Sequence, residues 1–146
     1  MQNKQSIPFE APSLLKLGAC LIYDALVIIA LSFACALLFV WLAGDATHGV
    51  KRYLLQLFLW GSIGIYFVWC WQKSGQTLAM QTWKLKLVTP CGGEESQLLS
   101  VKLAMIRYVL ASISLMLFGF GFLWAIIDRD RLFLHDRLLK TRIILR

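Results

Sequence analysis

Residues 17–43 read LGACLIYDALVIIALSFACALLFVWLA, and this stretch decides the fold. Asp24 is its only charged residue. At about 1.5 Å per residue a helix of this length exceeds the ~30 Å hydrocarbon core of a bilayer, so it can span with some tilt. The apolar part of a cleaved signal peptide is roughly 7–15 residues long, so this run reads as a retained span.

Two more apolar stretches follow. Residues 53–71 carry no formal charge, and Tyr66, Trp69 and Trp71 gather at their C-terminal end, as at a headgroup boundary. Gly61 and Gly64 share one helical face there and invite a second helix to approach. The third stretch, residues 98–127, carries Lys102 and Arg107 early and is interrupted by FGFGF at 118–122. A polar tail over residues 1–13, with Pro8 and Pro12, and a short polar loop over 44–52 flank the first span. Residues 84–88, KLKLV, alternate with the period of a half-buried strand, TPCGG at 89–93 is a turn signal, and TRIIL at 141–145 is a second strand-like run. The expectation is an all-α membrane protein with a small cytoplasmic β element. Its three apolar segments give three or four transmembrane helices within one domain over residues 1–146.

Composition agrees. Hydrophobic residues make up 59% and charged residues 16%, with a mean hydropathy of +0.68, against roughly 25% charge in ordinary globular domains. The net charge of +7 does not imply nucleic acid, because the basic residues sit beside apolar spans and face lipid headgroups. Of Cys20, Cys35, Cys70 and Cys91, three lie within apolar stretches and none forms a C-x-x-C pair, so they read as packing residues.

The number of crossings turns on residues 98–127. One crossing there divides the 15 Lys and Arg residues almost evenly between the two faces. A helical hairpin turning at residues 119–121 instead puts all of them except Lys51 and Arg52 on one side, which the positive-inside rule makes cytoplasmic along with both termini. Its arms are short for a ~30 Å core, so they must extend outward and draw Lys102, Arg107, Asp128 and Arg129 toward the membrane. The hairpin is favoured over the single span.

Chemistry has few places to reside. A carboxylate within a span costs several kcal/mol unless it is paired, protonated or facing water. Asp24 is therefore either a proton or cation site or a structural ion pair with Lys16, Arg107 or a C-terminal arginine. Asp128, Arg129, His135, Asp136 and Arg137 belong to the stretch DRDRLFLHDR, which reads as a solvated, salt-bridged interfacial segment. Adjacent His and Asp on a helix point about 100° apart and make a poor catalytic pair. No metal cluster, nucleophile with a base, or phosphate-cradling glycine loop appears, so neither an enzyme nor a cofactor is expected.

The order of motifs resembles the RDD family of bacterial membrane proteins. Tyr23-Asp24 comes first, then GQTLAM at 75–80, then FLW at 122–124, DRDR at 128–131 and HDRL at 135–138. The resemblance covers about residues 14–145 and places the family's two aspartates on Asp24 and Asp136. The first-span arginine has no counterpart, Lys16 being the nearest basic residue. Ala79 and Lys140 stand where the family usually has glycine. The resemblance implies a multi-pass protein of the bacterial inner membrane, with transport of protons, cations or a small solute as one expected activity.

Two functions follow as expectations. In the first, Asp24 and the region of Asp136 form a charged path, and so small a chain must act as a homo-oligomer to enclose it. In the second, the chain is a membrane subunit or scaffold whose β element and basic tail engage a membrane-protein partner or anionic lipid.

Overall fold

The computed structural model describes residues 12–90 and 96–145. Residues 1–11 of the tail expected over 1–13, and residues 91–93 of the expected turn with its cysteine, lie outside the described residues.

Helix α1 runs Leu14–Ala43. Ser13 starts it by accepting a hydrogen bond from the Lys16 N–H at 3.3 Å. Its last turn is closed by Lys51, whose Nζ donates to the Ala43 carbonyl at 2.7 Å and sets a cation at the negative helix end. Helix α2, Val50–Lys73, follows after a short loop and packs against α1. Phe39 and Phe58 meet beside the loop with ring centroids 5.7 Å apart, as expected of antiparallel neighbours. Both helices are long and apolar enough to cross a membrane. On α1, Leu17 and Cys20 are buried, while Ile29, Phe33, Leu37 and Trp41 form an exposed stripe at near-four-residue spacing. Such a stripe needs lipid against it.

Beyond α2 the chain turns sharply at Gly75, whose φ is +69°. A side chain there would meet the Leu87 carbonyl at 2.8 Å, and Gly75 O itself accepts from Leu87 N at 2.8 Å. This close approach requires glycine. Helix α3, Leu78–Thr82, follows, capped by the Thr77 hydroxyl, which accepts from Met80 N at 3.2 Å. Strand β1 covers Leu85–Pro90 and β2 only Ser96–Gln97. Strand β3, Arg142–Leu145, pairs antiparallel with β1 from Leu85↔Leu145 to Val88↔Arg142. The sheet order is β2-β1-β3. Leu85, Leu87 and Ile143 turn inward toward Ala79 and Met80, so the alternation expected over 84–88 does bury one face, and the two expected strands pair with each other.

Helix α4, Val101–Met116, is capped by Ser100 and packs along α2. Gly64 is the contact point: a Cβ there would stand 2.8 Å from the Tyr108 ring, whereas Gly61 has nothing within 4 Å. Tyr108 also donates to the Trp60 carbonyl at 2.8 Å. The shared-face reading thus holds for Gly64 alone. After α4 the backbone enters the left-handed region at Phe118 and Gly119, and helix α5, Phe120–Ile127, leaves at 92° to α4. Residues 98–127 are therefore neither a straight span nor a hairpin with antiparallel arms. They form a bent pair that either breaks one span or dips into the membrane and returns. Eight residues of α5 rise only about 12 Å, too little to cross unaided. Helix α6, Leu134–Leu138, packs against both α4 and α5.

Candidate functional site

Arg107 lies on the second turn of α4 and is only 5% exposed. Asp136, in the middle of α6, is fully buried against it. Two parallel hydrogen bonds join them: Arg107 Nε donates to Asp136 Oδ1 at 2.6 Å and Nη2 to Oδ2 at 3.1 Å. This fork-to-carboxylate geometry is the strong form of the ion pair. Thr141 adds a third bond, its hydroxyl donating to Oδ1 at 2.9 Å, and its N–H donates to the Asp136 carbonyl at 2.9 Å. Below the guanidinium lies the Trp71 indole, 4.3 Å from Arg107 Cζ. A charge, its counter-charge, a hydroxyl and a π face close this cluster on itself.

Asp24 is different. It sits ten residues into α1, on the face carrying the buried Leu17 and Cys20. Its Oδ1 is buried with no hydrogen-bond partner, and Oδ2 has only the Cys20 thiol at 3.9 Å. Thr77, through its hydroxyl, and Arg107, through its charge, are the other groups that act on it. The ion pair expected with Lys16, Arg107 or a C-terminal arginine is not formed among the described residues. The reason is structural. Arg107 is committed to Asp136, Lys16 faces outward at the helix start, Arg131 bonds the Pro12 carbonyl and Arg137 pairs with Asp128.

The charged stretch beyond α5 is less solvated than its sequence implies. Asp128 accepts from Leu132 N at 3.2 Å and pairs with Arg137, fixing the turn that leads into α6. Arg131 donates to the Pro12 carbonyl at 3.2 Å, tying this turn to the start of α1. Arg129 is exposed and makes no hydrogen bond or ion pair among the described residues. His135 is only 2% exposed, its ring stacked on Phe133 and edge-on to Phe122. Its Nε2 is 3.9 Å from Asp136 Oδ1, beyond hydrogen-bond reach. Burial pushes the imidazole down to about 4, a shift that Asp136 opposes and Arg107 reinforces, so it is neutral at pH 7. The expected solvated segment thus survives at Arg129 and Arg137, while His135 and Asp136 belong to the interior.

Sequence reasoning missed Thr141, Trp71 and Thr77 as members of these clusters. Trp71 was assigned to the headgroup boundary with Tyr66 and Trp69. Trp69 fits that place, exposed with Lys73 Nζ 4.9 Å above its ring. Trp71 is buried beneath Arg107, and Tyr66 turns its hydroxyl to accept from Leu78 N at 3.3 Å. A threonine opening the strand after HDRL was the one available signal for Thr141.

Residues 14–140 match the RDD family model. No curated protein and no solved structure matches the chain.

Proposed function

The chain belongs to the RDD family, and from that premise we propose that it is a non-enzymatic, multi-pass protein of the bacterial inner membrane that takes up a proton or small cation at Asp24. It moves that ion as a homo-oligomer, since two long helices and one bent pair enclose no path alone. The observation that carries the reading is the carboxylate itself. Asp24 lies in an apolar helix with one oxygen buried and unpartnered, while the nearby cation is bound by another acid. A group so placed retains capacity for a proton or cation that a closed ion pair lacks.

In this reading both termini are cytoplasmic. α1 and α2 cross, and the α4–α5 pair enters from the cytoplasmic side and returns. The antiparallel pairing of β1 with β3 supports this, because it requires the segments before α4 and after α6 to share one face. All basic residues except Lys51 and Arg52 then lie on that face.

The test is flux. Purified protein in liposomes with an imposed Na⁺ or K⁺ gradient should acidify or alkalinise the lumen, and Asp24→Asn should abolish the signal while leaving the protein folded. Equal flux from wild type and Asp24→Asn would remove Asp24 from the pathway. No flux from a well-folded wild type would favour the second reading, a subunit that binds a membrane partner or anionic lipid. That reading draws on the basic cap around Lys84, Lys86 and Arg142.

A further inference from the structure

The surroundings of Asp24 bear on which ion it takes. Its Oδ1 has essentially no accessible surface and no hydrogen-bond partner, and Oδ2 faces the Cys20 thiol of the same helix at 3.9 Å. Tyr66 and Cys70 of α2 lie near enough to feel its charge. Thr77, at the start of α3, and Arg107 of α4 act on it from the other side of the bundle. Arg107 is itself held by Asp136 of α6.

Three properties of this setting reject a metal ion. The first is space. A hole that admits even one water needs about 10–15 Å³, and a metal ion with part of its shell asks for no less, yet packing leaves no accessible surface at Oδ1. The second is the set of ligands. Hard cations are held by several oxygens at once, and a thiol is a poor substitute for them. The hydroxyls at hand are already engaged: that of Thr77 accepts from Met80 N and that of Tyr66 from Leu78 N. Among the described residues no group of three or more His, Cys, Asp or Glu side chains could hold a metal ion. The third is charge. The Arg107 guanidinium repels any second cation brought to the carboxylate, whereas a protonated carboxyl is neutral and escapes that repulsion.

A proton meets none of these obstacles. It forms an O–H bond on a carboxylate lone pair, adds no volume and removes the charge that an apolar helix tolerates least. Hydronium supplies it and water takes it back. We propose, on the reading of Asp24 as the uptake site, that the ion bound there is a proton alone, and that the packing of Cys20, Thr77 and Arg107 around the carboxylate excludes Na⁺ and K⁺. A metal ion moved in exchange would have to be held by other groups.

Infrared difference spectroscopy of the full-length protein in lipid bilayers tests it. Lowering the pH in N-methylglucamine buffer should bring up the C=O stretch of a protonated carboxyl that is missing from Asp24→Asn. Cys20→Ala keeps the acid and removes the thiol beside Oδ2, so it should shift the frequency of that band and assign it even if Asp24→Asn does not fold. Replacing N-methylglucamine by Na⁺ or K⁺ at equal ionic strength should leave the titration midpoint unmoved. A cation competing for the same oxygens would lower the midpoint by about one pH unit for each tenfold excess over its Kd. That result would overturn the proposal and make a metal ion the species taken up. A carboxyl that stays ionised, or stays protonated, from about pH 4 to pH 9 would overturn it as well. The expected titration in a wild type that moves no ions through liposomes would sustain the proton site and sink the transport reading, so the two fail separately.

Discussion

Asp136 and Asp24 are the same residue in two opposite conditions. Asp136 is fully buried but receives hydrogen bonds from Arg107 Nε, Arg107 Nη2 and Thr141 Oγ1. Asp24 is only partly buried, yet one of its oxygens has no partner and the other has a thiol at 3.9 Å. Depth of burial is therefore a poor guide to which acid is available. Availability follows from the number of donors that the fold has already committed, and by that measure the deeper carboxylate is architecture and the shallower one has capacity left.

The contrast breaks if removing Asp136 is harmless. Asp136→Asn leaves Arg107 charged and buried without its counter-ion, which costs about 3–5 kcal/mol. Thermal unfolding in detergent should show a large loss, and a change below about 1 kcal/mol would mean that the cluster does not hold α6 against α4. A pH series probes the same cluster from its neighbour. His135 titrates at about 4 in the folded chain, against 6.5 as its ordinary value. The unfolded state therefore binds more protons between those values, and stability falls as pH drops from about 6.5 toward 4. The full effect is on the order of 3 kcal/mol. His135→Phe should flatten that slope, and an unchanged slope in the variant would assign it to the carboxylates.

Smaller effects sharpen the comparison. Lys140 stands at φ +54° just before Thr141, a backbone region that glycine occupies without strain. Lys140→Gly should raise stability by about 1 kcal/mol, measured as a higher unfolding midpoint. A fall would mean that the lysine makes contacts outweighing the strain. The smallest expected change is at Asp24. Asp24→Asn removes a charge that no counter-ion balances in contact, so the unfolding midpoint should stay level or rise slightly. A loss approaching that of Asp136→Asn would erase the distinction between the two acids.

Much of this architecture was legible in the residues. The lengths of the first two apolar runs dictate α1 and α2, and the period-two alternation at 84–88 and 141–145 marks the strands that pair. Of the outward extension expected for the third stretch, only the first half forms: α4 begins at Val101 and includes Lys102 and Arg107, whereas α5 ends at Ile127 and leaves Asp128 and Arg129 outside it. The choice of partners was not legible. Arg107 and Asp136 are 29 residues apart, and on charge alone Arg107 could equally have served Asp24. What decides is the docking of α6 between α4 and α5, which no local pattern encodes. Trp71 failed for a related reason. An indole near Lys73 has the same amphipathic character whether it faces a headgroup or a guanidinium.

The 29-residue separation of Arg107 from Asp136 also orders events during biosynthesis. When α4 first emerges, the acid that finally pairs with its guanidinium has not been made; it arrives only with α6, after α5 and the following turn. Until then an arginine on this helix is best tolerated at a lipid–water boundary. Its final seating awaits the moment when α6 and β3 arrive together, one supplying the carboxylate and the other closing on β1. The two long helices are thus inserted early, and the bent pair is set in place by a latch translated after it.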